Sequence, residues 1–122
     1  MARYVDGFLI PVPKKNLERY RQIAEACAKI WREHGALEVV ECVAEDVKMG
    51  KLTSFPRSVL RKPSETVIFS WIVYKSRADR DRVNAKVMKD PRMLEMMEQT
   101  KEKQPFDGKR MIFGGFETIV EA

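Results

Sequence analysis

Across 122 residues the chain carries two cysteines, one histidine, six glycines and six prolines. Each scarcity excludes something. Cys27 and Cys42 form no close metal-binding pair and no disulfide framework, and they read as free thiols of a reducing, cytoplasmic setting. One histidine among scattered acids makes a metal site an unfavourable reading, and no motif calls for a cofactor. No apolar run approaches the roughly 18 residues that a membrane-spanning helix requires. The opening "MARYVDGFLIPVP" places Arg3 and Asp6 inside its apolar run and offers no cleavage site, so it does not read as a signal peptide. Charge of one sign is also missing, because 23 bases are interleaved with 18 acids for a net charge of +5. A nucleic-acid binder usually concentrates its excess.

What is present is ordinary globular composition, 44% hydrophobic and 34% charged, of a length suited to one domain over residues 1–122. An apolar segment from Tyr4 to Val12 reads as a strand closed by Pro11 and Pro13, which remove ladder donors. Asn16 is placed as the N-cap of a helix. Its apolar positions Leu17, Tyr20, Ala24, Cys27 and Trp31, widened by Ile23 and Ile30, fall at helical spacing. Gly35 should end it in a left-handed conformation. A second strand is predicted over Ala36–Val47, then a loop over residues 48–65 with room for a short helix. The most apolar strand is "TVIFSWIVYK", residues 66–75. Ser76 and Asp79 form a capping box for the second long helix. Asp90 and Pro91 restart a short methionine-rich helix. A closing strand follows over Arg110–Glu121. The order is βαββαβ, the ferredoxin-like plan of a four-stranded antiparallel sheet.

The strands alternate poorly. Val67, Phe69, Trp71 and Val73 share one face of the third strand, while Ile68, Ile72 and Tyr74 share the other. A sheet wetted on one side should alternate apolar with polar residues. Apolar residues on both faces imply a second cover, most simply the same face of another copy in a two-fold homodimer, closing an α+β barrel. The alternative is a monomer whose 48–65 loop folds over the open face. Gly114 and Gly115 interrupt the last strand, where a bulge or bend toward the partner is expected.

The segments "YVDGF", "IWREHGALEVVE", "KLTSFP", "FSWIVYKSRADRDRVNAKVM" and "PFDGKRMIFGGFE" together resemble the bacterial YbaA-like family of unknown function, over nearly the whole chain. The resemblance implies the dimeric α+β-barrel fold. It implies no activity, and the family supplies no agreed catalytic residues to carry over.

Candidate chemistry therefore rests on individual residues. Asp6 and Glu41 each interrupt an apolar strand face, so each reads either as a perturbed functional carboxylate or as half of a structural ion pair, with Arg57 or Arg110 as partner. His34, at the end of the first helix, reads either as an acid–base group or as a helix-terminal cap. Trp31, Phe55, Trp71 and Tyr74, with Arg57 nearby, either line a pocket for a flat apolar ligand or are core. Ser54, Ser70 and Cys42 lack a triad arrangement.

Residues 75–92 hold seven bases against three acids, with Arg82, Lys86 and Lys89 on one helical face. This reads as a solvated face, with RNA as the less favoured partner, because the third strand lacks a basic-Gly-aromatic RNA-binding pattern. A homodimer holding a small apolar or aromatic ligand, bound or transformed, is the expected function. An RNA-associated protein and a non-catalytic interaction dimer are the alternatives.

Overall fold

The computed structural model describes residues 2–122. β1 (Tyr4–Pro13) leads through a 3-10 turn into α1 (Leu17–Glu33), and β2 (Glu38–Val43) follows. α2 (Phe55–Ser58) lies within the loop before β3 (Glu65–Tyr74). α3 (Arg77–Lys89), α4 (Pro91–Thr100), a second 3-10 turn and β4 (Ile112–Glu117) complete the chain. The four strands form one antiparallel sheet in the order β2-β3-β1-β4, the ferredoxin-like arrangement. Pro11 and Pro13 lie beyond Leu9, the last β1 residue paired with β4, so their missing N–H groups fall where β1 has become an edge.

Local chemistry sets the helix ends. Gly35 follows α1 with φ of +121°, a conformation that disfavours a side chain. Ser76 Oγ accepts from the Asp79 backbone N–H at 3.1 Å and starts α3. Asp90 caps α4 by accepting from the Arg92 N–H at 2.9 Å. Asn16 stands at the α1 N-cap position but makes no capping bond. Its amide donates instead to the Pro105 carbonyl at 3.1 Å, tying the helix start to the loop before β4.

Three expectations are corrected. β2 is half the predicted length, because it begins only at Glu38 and the chain leaves the sheet for the loop after Ala44, whose N–H still donates to the Val67 carbonyl at 2.9 Å. β4 is also shorter and begins after a 3-10 turn at Gly108–Arg110. Gly114 and Gly115 form neither a bulge nor a bend; they pair in unbroken register with Gly7 and Asp6.

The helices cover the face bearing Tyr4, Asp6, Phe8, Ile10 and Val12, which register places beside Tyr74, Ile72, Ser70, Ile68 and Thr66. Two apolar clusters hold this layer. One joins Tyr4, Ile72 and Tyr74 to Ile30, Val83, Val87 and Met93. The other joins Ile10, Val12 and Ile68 to Tyr20. Each fully buried aliphatic or aromatic side chain contributes about 1.5–3 kcal/mol.

The opposite face is covered only in part. Pro56 and Val59 of the 44–64 loop are buried, and Phe55 meets Phe69 edge-on at 5.9 Å. Phe69 still remains 44% exposed and Phe116 64% exposed. No helix among the described residues is long and apolar enough to cross a membrane.

Candidate functional site

A cavity of about 520 Å³ lies between the covered sheet face and helices α1 and α3. Its origin is a run of small residues. Ala24, Cys27 and Ala28 on α1 face a floor that includes Ser70, Gly114 and Gly115. A half-open, mainly apolar hollow of this size between two well-packed clusters is a binding-site candidate. Phe8, Trp31, Ile72, Met88 and Phe113 supply apolar walls. Phe8 and Phe113 stack with centroids 6.2 Å apart, and Phe113, 68% exposed, stands where the cavity opens at β4.

Gly115 serves this packing. A Cβ built there would stand 2.6 Å from Tyr4 Cε2 and 2.7 Å from Cζ, so a glycine is required for the Tyr4 ring to lie across β4.

One polar group of the cavity centres on Asp6. Its Oδ1 accepts from Arg80 Nη1 at 2.9 Å, and the guanidinium carbon lies 4.8 Å from the Tyr4 ring centroid. Burial pushes the Asp6 carboxyl above the usual aspartate range, opposed chiefly by Arg80 and then by Tyr74 and Asn84. Asn84 Oδ1 accepts from Trp31 Nε1 at 3.0 Å and from the Tyr74 hydroxyl at 3.1 Å. Burial raises the Tyr74 phenol, with the Asp6 charge adding to the effect.

The second polar group is Glu41 on β2. Its Oε1 accepts from the Tyr20 hydroxyl at 2.7 Å. Its carboxyl is set among protein atoms, and burial raises its pKa against the Tyr20 bond. The residue keeps solvent access through the cavity and through an adjoining groove between α1 and β2, which it also lines. Register places Glu41 beside Ser70, and Asp6 beside Ile72. The backbones of the two residues thus stand two strands and one pleat repeat apart, about 12 Å between Cα positions at ordinary strand spacing and rise. Cys27, between them on α1, has its thiol pushed up to about 11 by burial, with its Sγ 3.3 Å from Met96 Sδ.

Of the residues singled out from sequence, Asp6, Trp31, Glu41 and Tyr74 come together here. The others stand elsewhere. His34 Nε2 is 2.8 Å from Asp90 Oδ2, at the junction of α1 and α4. Arg92 and His34 hold the Asp90 carboxyl far below the usual aspartate range. Phe55 and Trp71 flank Phe69 on the opposite sheet face, Trp71 at 5.6 Å. Arg57 Nε donates to the Met49 and Gly50 carbonyls at 3.2 and 3.0 Å.

The ion-pair partners also differ from expectation. Arg110 binds Glu65 through both oxygens, at 2.8 and 2.6 Å, and neither Asp6 nor Glu41 reaches it or Arg57. On the basic helix, Arg80 is drawn inward to Asp6, while Arg77 and Arg82 pair with Asp81 and Asp79. Arg80, Asn84 and Tyr20 were not singled out from sequence. The available signal was spacing: Arg80 and Asn84 are four apart on α3, next to the buried Val83 and Val87.

Comparison with known proteins places this geometry in context. The sequence profile of the family described as protein of unknown function (DUF1428) matches residues 3–108. The uncharacterized protein YbaA of Escherichia coli K12 is 49% identical over 119 residues, covering 98% of both chains. The Shigella flexneri YbaA protein matches to the same extent. Among solved structures, a dimeric ferredoxin-like protein from an uncultured marine organism aligns over the whole of both chains, with a TM-score of 0.62 and 12% identity. SnoaB, a cofactor-independent oxygenase from Streptomyces nogalater, aligns over 98% of this chain and 95% of its own, with a TM-score of 0.61 and 12% identity. A nipsnap family protein of unknown function from Agrobacterium tumefaciens aligns over 95% of this chain and 87% of its own, with a TM-score of 0.60 and 14% identity.

Proposed function

The chain belongs to the DUF1428 family, and from that premise we propose that it is a homodimer that binds or transforms a small apolar or aromatic molecule in the cavity between the sheet and α1. The observation that carries this reading is the cavity itself: about 520 Å³, walled by Phe8, Trp31 and Phe113, with polar groups converging from Asp6, Asn84 and Glu41. The structural likeness to the cofactor-independent oxygenase, at 12% identity, supports a shared fold and carries nothing of its reaction.

Homodimerisation is supported by the uncovered sheet face, where Phe69, Ile112 and Phe116 are exposed, and by the description of a structural neighbour as dimeric. The uncovered face and the cavity lie on opposite sides of the sheet, so pairing through that face leaves the cavity's helical wall free.

The test is an NMR screen of small aromatic fragments against the chain and against Ala24→Phe, which places a ring in the cavity. Fragments should perturb residues around Trp31 and Ala28 in the parent and lose binding in the variant. A screen with no hits, or hits unaffected by Ala24→Phe, would overturn the reading. Sedimentation should give a species of twice the 14.2 kDa chain mass. A 14.2 kDa species at micromolar concentration would remove the homodimer.

A further inference from the structure

Three side chains lining the cavity are carboxylates or guanidinium groups: Asp6, Glu41 and Arg80. The one cation is already committed. Arg80 Nη1 donates to Asp6 at 2.9 Å, and the guanidinium covers the Tyr4 ring; its buried Nε lies 2.9 Å from Asp81 Oδ1, close enough to pair charge but not aligned for a hydrogen bond, so two carboxylates flank this one cation. Glu41 has no such partner among the described residues. Tyr20 donates to Oε1, and among the described residues no donor reaches Oε2 and no base pairs with the carboxyl. The groove beside it adds negative charge, since Glu18 and Glu25 share the single cation Arg21 at 2.8 and 3.1 Å.

A carboxylate against apolar walls with no protein counter-charge gains more from a ligand that supplies the charge than from a neutral one. The walls suit the same ligand. Phe8, Trp31 and Phe113 present aromatic faces, which attract cations and stack on flat rings.

Resting on the proposed small-molecule function, we infer that the cavity is selective for a monocation: a protonated amine carried on a flat or aromatic body. The ammonium meets Glu41 Oε2, and the ring lies toward Phe8 and Trp31. An anionic ligand is disfavoured, because Arg80 is neutralised and Glu41 would repel it. A neutral hydroxyl compound could occupy the same walls but gains no charge pairing.

Three probes of matched shape test this: 2-phenylethylamine, 2-phenylethanol and 3-phenylpropionate. Each is titrated into the full chain carrying Trp71→Phe, which leaves Trp31 as the reporter, and affinities are confirmed by calorimetry. The amine should bind about tenfold tighter than the alcohol, as a charge-assisted hydrogen bond adds to shared ring contacts, and the carboxylate should bind weakest. Glu41→Gln keeps an acceptor for Tyr20 and should erase the amine's advantage over the alcohol. In the parent, rising salt should weaken the amine and spare the alcohol, a readout that stands even if the variant fails to fold.

An alcohol that binds as tightly as the amine, or an amine preference untouched by both Glu41→Gln and salt, overturns the cation inference and leaves the cavity reading in place. Failure of all three probes to bind overturns both.

Discussion

The Tyr4 ring occupies the space in which a side chain on Gly115 would stand, with Cε2 and Cζ 2.6 and 2.7 Å from the position of a Cβ. Tyr4 is part of the core cluster and also carries the Arg80 guanidinium on its face. Gly115→Ala should therefore force the ring or the strand to shift and destabilise the fold by about 1–3 kcal/mol, the range for overpacking. Gly114 differs. A Cβ there meets its nearest neighbour, Phe116, at an ordinary 3.7 Å. Gly114→Ala should leave chemical denaturation within about 0.5 kcal/mol of the parent. Equal losses in the two variants would mean that strand propensity, rather than the Tyr4 contact, sets the requirement for glycine.

The Glu65–Arg110 pair predicts an acid-sensitive link between β3 and the start of β4. Both side chains are largely buried, and the guanidinium grips both carboxylate oxygens. Arg110 holds the Glu65 carboxyl below the usual glutamate range. A lowered folded-state pKa gives stability that is present above the unfolded pKa, near 4.5, and is lost as pH falls through the folded value. Arg110→Met should cost about 2 kcal/mol at neutral pH, as it strands a buried carboxylate. The cost should shrink as acid protonates Glu65. Urea melts across pH will check this, and a cost unchanged in acid would argue that packing alone is lost.

Much of the fold was legible because period and punctuation agree. The α1 stripe from Leu17 to Trp31 ends at a left-handed Gly35, and Ser76 and Asp90 begin the helices they were placed to begin. The length of β2 was not legible, because Ala44 and Val47 continue an alternation that the chain abandons for the 44–64 loop. Asp6 and Glu41 were visible as carboxylates on apolar strand faces. Their partners were not, since Arg80 reaches Asp6 across 74 positions of sequence and looks like any base on a charged helix. The aromatics divided likewise. Trp71 sits on the strand face opposite Tyr74, as alternation indicated, and Phe55 is carried to that same face by α2 in the loop, a placement that no local pattern signals.

Cys27 offers a reporter of the cavity. Its thiol lines the cavity wall, with its pKa pushed up to about 11 by burial. At pH 8 about one thiol in a thousand is ionised, so alkylation should be slow, rising about tenfold per pH unit until the thiolate form predominates. In a Cys42→Ser background the measurement isolates Cys27. A cavity ligand should slow it further by blocking access. Rapid labelling at pH 7 would mean that the thiol lies in a far more open or electropositive setting than its Met96 contact indicates.

Glu41 carries the sharpest pH prediction. Burial raises its carboxyl above the ordinary 4.5, and the Tyr20 bond opposes this only in part. A raised folded-state pKa means that the folded chain holds the proton more tightly than the unfolded chain. Its contribution to stability is fully present below the unfolded pKa and is lost as pH rises through the folded value. Glu41→Gln has no proton to lose and can still accept from Tyr20. The variant and parent should therefore melt alike near about pH 4, and the variant should become progressively more stable toward neutrality. Tyr20 and Cys27, which face Glu41 from α1, have raised pKa values and stay neutral throughout this window, while Glu18 and Glu25 of the adjoining groove are present in both proteins, so the difference between variant and parent isolates Glu41. An amine bound at Glu41 should narrow the gap at neutral pH by stabilising the parent selectively. A gap that is constant across the range, or that opens toward acid, would show that the carboxylate is already compensated within the protein.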